Sequence, residues 1–170
     1  MNNHLPDRLD LIAAAEAGRL LRGSIAISSL GRLVPALMSD AGELQVKMEL
    51  GKDQDGTRYL NGSIRGKVVL KCERCLDEMT LPLDLTCRLG LVSGEAVANT
   101  LPEWYEPLVV TAEPAHIADV IADEVLLALP IVPIHMDGLD CQGFVKEHAP
   151  PVSKQRENPF AVLAGLKLKQ

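Results

Sequence analysis

Residues 79–91, "MTLPLDLTCRLGL", place Met79, Leu81, Leu83, Leu85, Cys87, Leu89 and Leu91 on one parity without a miss. Successive side chains of a strand point to opposite faces, so this stretch reads as a strand with one face buried. "ELQVKMEL" at 43–50 repeats the pattern, with Leu44, Val46, Met48 and Leu50 on one face and Glu43, Gln45, Lys47 and Glu49 on the other. "KDQDG" is a turn, and "RYLNGSIRGKVVLKC" offers a further strand in which Gly62 and Gly66 suit a bulge or bend. Three or more strands with one apolar face predict an antiparallel sheet or a partly open barrel. The same parity assigns Cys87 to the buried row as a small hydrophobe.

Helical signals flank these strands. Asp10 is a good N-cap for "LIAAAEAGRLLRG", with Gly23 as its stop. "SIAISSL" reads as a short strand, and "SLGRLVPALM" as a second short helix capped by Ser29 and disturbed by Pro35. After a turn-rich loop at 93–107 carrying the single Trp, "LVVT" is a short strand. A helix near 114–129 comes next, with Pro114 in its first turn and Ile117, Val120, Ile121 and Val125 as its apolar stripe. Asp119 and Asp123 occupy its wet side, and Pro130 and Pro133 forbid its continuation. The expected class is therefore α+β, one domain over 1–145 with an extended, partly disordered basic tail over 146–170.

The net charge is −6, against a sequence-independent grip on nucleic acid by the chain as a whole. Its distribution is uneven. Residues 89–145 contain no Lys or Arg but nine acids, whereas 146–170 hold five bases against two acids. An acidic body with a basic tail suits a basic protein partner, or a tail whose Lys154, Arg156, Lys167 and Lys169 reach RNA phosphates. No run of about 18 apolar residues is present and the N-terminus lacks a secretory pattern, so a cytoplasmic location is expected, with no membrane contact.

Cys72 and Cys75 form a C-x-x-C where one strand hands over to the next. A tight turn can aim both thiolates at one metal ion, and zinc in a structural site needs four such donors. Cys141 is the remaining uncommitted cysteine, and His135 and His148 are the histidines near it. Cys72, Cys75, Cys141 and His135 thus make a Cys₃His candidate set for zinc. A redox dithiol would open a helix after a strand, whereas the residues after Cys75 read as strand and include Asp77 and Glu78. No phosphate-binding loop, dinucleotide fingerprint, nucleophile elbow or H-E-x-x-H is present, so the chain does not read as an enzyme.

Four stretches together resemble the YceD-like family, in its proteobacterial branch. They are "LKCERCL" (70–76), "LPEWYEPLVV" (101–110), "DEVLLALPIVPIHMDGLDC" (123–141) and "NPFAVLAGLK" (158–167). The resemblance implies a non-enzymatic role in large-subunit ribosome biogenesis, supporting accumulation or processing of 23S ribosomal RNA. It also implies ribosomal RNA or a basic large-subunit ribosomal protein as partner. Relatives outside the proteobacteria often carry a second cysteine pair after the P-x-x-P segment, suggesting a four-cysteine zinc site. This chain has Cys141 there, with His135 nearby. The competing reading is a zinc-binding or thiol-containing acidic adaptor that holds a basic protein unrelated to ribosomes.

Overall fold

The computed structural model describes residues 5–94, 98, 100–135 and 141. The expected basic tail, with Lys154, Arg156, Lys167 and Lys169, lies outside the described residues, as does His148. The strands and helices of the described residues belong to the compact unit Met1–His135.

Two short strands, β1 (Arg8–Leu9) and β7 (Ala115–His116), pair antiparallel with each other. The main sheet holds β2 (Leu20–Ala26), β3 (Glu43–Lys52), β4 (Arg58–Lys71), β5 (Glu78–Val92) and β6 (Glu106–Val109), in that order. Helices α1 (Leu11–Glu16) and α2 (Ile117–Ala128) complete an α+β fold whose sheet is not closed into a barrel. The meander from β2 to β5 is antiparallel, as the alternation requires. The expected antiparallel sheet extends from β2 to β5, and β6 then runs parallel to β5. A parallel neighbour needs a long crossover, and residues 93–105 supply it.

The apolar rows meet across strands in register. Val46 faces Ile64, Leu50 faces Leu60, Leu60 faces Leu89, and Leu70 faces Met79. Against the sheet α1 packs on β3 and β4, and α2 approaches β5. The predicted α2 stripe, Ile117, Val120, Ile121 and Val125, is buried. Fully burying one such side chain is worth about 1.5–3 kcal/mol, so the aliphatic rows supply the core that scarce aromatics do not.

Several expected boundaries move. Asp10 caps α1 through its carboxylate, which accepts from the Ala13 N–H at 2.9 Å. However, the helix ends at Glu16, and Gly18 at φ +61° turns the chain where a side chain would be strained. Gly23 is therefore not the helix stop but a residue of β2, facing Val46. Pairing with β3 has overridden the helix propensity of Leu20–Arg22. The predicted second helix is only two 3-10 turns, Ile27–Ser29 and Val34–Ala36. Ser29 does not cap it; its hydroxyl donates back to the Ala26 carbonyl at 2.6 Å. The strand expected at "LVVT" begins two residues earlier, at Glu106.

Gly62 and Gly66 are not bulges, since the β4–β5 register runs through both. Gly66 marks instead where β3 stops pairing with β4, after Arg65. A Cβ there would lie 2.7 Å from Leu44 Cδ2 and 3.2 Å from the Glu43 carbonyl oxygen. No helix among the described residues is long and apolar enough to cross a membrane.

Candidate metal centre

The knuckle between β4 and β5 is built from backbone. Cys72 donates its N–H to the Asp77 carbonyl at 2.9 Å, and the Leu76 N–H donates to the Cys72 carbonyl at 2.8 Å. Leu76 takes φ +66°, the left-handed turn that lets a six-residue reversal close between two long strands. The Leu76 side chain is exposed, while Cys72 and Cys75 are buried. Hence the knuckle turns both thiols inward and sends its apolar residue out.

The segment after α2 returns to this knuckle. The Glu73 N–H donates to the Pro133 carbonyl at 2.8 Å, which sets the chain so that His135 meets Cys75. His135 Nδ1 lies 3.5 Å from Cys75 Sγ, and His135 Nε2 lies 3.1 Å from the Glu78 carbonyl oxygen. A carbonyl only accepts, so Nε2 donates to it, and in the neutral ring the Nδ1 lone pair then faces Cys75. This is the orientation a metal-ligating histidine requires, with its other nitrogen fixed by a backbone carbonyl.

Cys72, Cys75, His135 and Cys141 offer four ligand atoms, all within 4.8 Å of one another. This Cys₃His group could hold a metal ion. Sulfur and nitrogen donors on one tetrahedral zinc stand about 3.5 Å apart, given bond lengths near 2.3 and 2.0 Å. The Cys75–His135 separation has that value. Burial opposes ionisation of Cys72, yet the backbone N–H groups of Cys75, His135 and Arg74, with the Cys75 thiol, outweigh it. The Cys72 thiol is brought down to about 6, favouring the thiolate that binds metal. The knuckle leads into strand β5, so Cys72 and Cys75 do not sit at the helix N-terminus that a redox dithiol exploits.

Cys87 stands apart from the group. It keeps the parity of Leu89 but is only partly buried, which corrects its placement in the closed apolar row. It lines a concavity of about 280 Å³ with Glu106, Glu124 and Leu127, which leaves the residue partly open. Gly62 faces it across the strands, and a Cβ on that glycine would meet its sulfur at 2.5 Å. Burial pushes the Cys87 thiol up to about 12, helped by the negative charge of Glu124. Glu124 is itself raised by burial and by Glu106. Asp123, on the wet side of α2, pairs with Arg32 at 2.7 Å.

A second group of residues, an aromatic cluster, was not foreseen from the sequence. Tyr59 and Tyr105 stack with ring centroids 6.3 Å apart and planes 14° from parallel, and Trp104 lies 6.4 Å from Tyr105 at 51°. The glycines opposite Tyr59, at 51 and 90, were the available signal, because a ring can lie on a sheet where neighbours lack side chains.

The family described as "Large ribosomal RNA subunit accumulation protein YceD" matches the chain over residues 60–167. The match takes in the knuckle and both later candidate ligands. A curated relative from Haemophilus influenzae, named "Large ribosomal RNA subunit accumulation protein YceD", is 29% identical over 170 residues, covering 97% of each chain. No solved structure matches the chain significantly.

Proposed function

Because the chain belongs to the family of YceD large ribosomal RNA subunit accumulation proteins, we propose that it supports accumulation of the 23S ribosomal RNA of the large subunit, and does so by binding rather than by catalysis. The observation that carries this is the near full-length likeness to a relative bearing that name. We take its place of action to be the cytoplasm, with ribosomal RNA or a basic large-subunit protein as partner. Among the described residues the shifted groups are dispersed: Cys72 at the knuckle, Cys87 on β5 beside Glu124 of α2, Tyr105 in the aromatic cluster, and Arg65 paired with Asp84. That dispersal, in place of one acid–base constellation around a reacting atom, supports the binding reading.

In this reading Cys72, Cys75, His135 and Cys141 would hold zinc as a structural ion. With all its donors supplied by the chain, such an ion would stabilise the fold and take no part in substrate chemistry. The chain's own residues orient the donors: the knuckle amides fix Cys72 and Cys75, and the Glu78 carbonyl fixes His135.

The test is genetic and quantitative. Deleting the gene should lower the ratio of 23S to 16S ribosomal RNA and reduce large subunits on sucrose gradients, with restoration by the wild-type chain. An unchanged ratio and an unchanged gradient would remove the reading.

A further inference from the structure

The outward face of the sheet combines features that α2 and the core do not use. Its residues fall in rows set by the register. Gly51, Tyr59 and Gly90 form one row, Glu49, Asn61 and Arg88 the next, and Arg22, Lys47, Ser63 and Thr86 a third. A Cβ at Gly51 would meet the Tyr59 hydroxyl oxygen at 2.6 Å, so the Tyr59 ring lies across that strand. A Cβ at Gly90 would meet Leu101 at 2.8 Å and Tyr105 Cβ at 3.2 Å, so the 101–105 loop covers the other side. The chain has one Trp, two Tyr and two Phe, and three of those five gather here. The cluster is not core: Trp104 is 61% exposed and the two tyrosines are half-buried.

Beside this shelf lies positive charge. Arg22, Lys47 and Arg65, with Gln45 and Ser63, line a shallow concavity of about 410 Å³. Acids of the face are also engaged: Asp84 accepts from Arg65 at 2.8 Å, Glu43 from Gln45 at 3.0 Å, and Asp53 from the Tyr105 hydroxyl at 3.2 Å. Glu49 shares the row of Asn61, and Glu103 precedes Trp104 in the loop. No ion pair among the described residues engages Arg22, Lys47 or Arg88. Arg88 stands opposite Asn61, in the row next to the one shared by Tyr59 and Gly90.

Adjacent rows of one strand face lie about 6.7 Å apart, so the strip from Tyr59 to Arg65 spans roughly 20 Å. Aromatic faces accept bases of any sequence, and free cations beside them track phosphates. An acidic peptide would use the cations and leave the rings idle.

We propose that this face binds single-stranded RNA, with bases stacking on Trp104, Tyr105 and Tyr59 and phosphates meeting Arg88, Lys47 and Arg22. The inference deepens the ribosomal RNA reading and rests on it. It also places the RNA contact within the acidic chain's folded body, apart from the tail bases.

The test is fluorescence anisotropy of a labelled oligouridylate of about 12 nucleotides, titrated with the full chain at two salt concentrations. Binding should weaken with salt, and an unlabelled oligomer should quench Trp104, the only tryptophan. Trp104→Ala, at an exposed site, should weaken binding at least tenfold, and Trp104→Phe should restore most of it. Arg22→Glu with Lys47→Glu should weaken it at least tenfold, whereas Lys167→Ala with Lys169→Ala should not. No measurable binding, equal binding of duplex RNA, or loss only in the tail variant would overturn the inference. Those results would leave the 23S measurement standing, and a normal 23S ratio in the deletion would leave the titration standing, so each failure is separately visible.

Discussion

Stripping metal from the purified protein with a strong chelator is expected to lower its unfolding temperature by roughly 10 °C. A ligand bound only by the folded state stabilises it by about 4 kcal/mol when free at 1,000 times its dissociation constant. Cys72, Cys75 and His135 are positioned by the native knuckle and by the Pro133–His135 return, which the unfolded chain lacks, and Cys141 is the fourth donor of the group. Cys75→Ser should reproduce the loss, because it leaves three donors around the site. Cys87→Ser should not, since Cys87 belongs to the α2 contact. Metal analysis should find about one zinc per chain before chelation. Substoichiometric zinc, with parental stability in Cys75→Ser, would make the thiols incidental.

Leu60→Ala is expected to cost about 3–4 kcal/mol in urea denaturation. Leu60 is fully buried and sits between Leu50 and Leu89 in register, within the longest strand pairing. Its removal leaves a cavity walled by three strands whose backbones are mutually hydrogen-bonded, so collapse is restricted. Leu20→Ala, half exposed at the start of β2, is the matched control and should change stability by about 0.5 kcal/mol or less. A loss under about 1 kcal/mol for Leu60→Ala would mean the aliphatic rows do not carry the fold.

Strands β3 and β5 were legible in the sequence because a buried face imposes a strict period of two, and Leu44 to Leu50 show it as sequence and as burial alike. The donor set at the knuckle was legible for a different reason. Thiols and imidazole are few, and their chemistry narrows the partners of Cys72 and Cys75. What depends on tertiary pairing was hidden. Leu20–Arg22 carry helix propensity, and only their alignment with Lys47–Glu49 makes them strand. The parallel approach of β6 to β5 has no local signature. The aromatic cluster joins Tyr59 to Trp104 and Tyr105, and no period connects residues that far apart.

The return of His135 to Cys75 spans 60 residues, and that separation sets an order of events in folding. Closing such a loop costs about 3–4 kcal/mol beyond a constant, whereas β3, β4 and β5 are joined by short turns at 53–57 and 72–77. Hairpins should therefore form first, with Cys72 and Cys75 already presented at their tip, and His135 should arrive late. Zinc then acts on the barrier to leaving the native state more than on the barrier to reaching it. Stopped-flow refolding should be nearly indifferent to added zinc while unfolding slows, and a refolding rate that rose with zinc would reverse the order. The metal would thus act less as a seed for the protein than as a seal on its completed form.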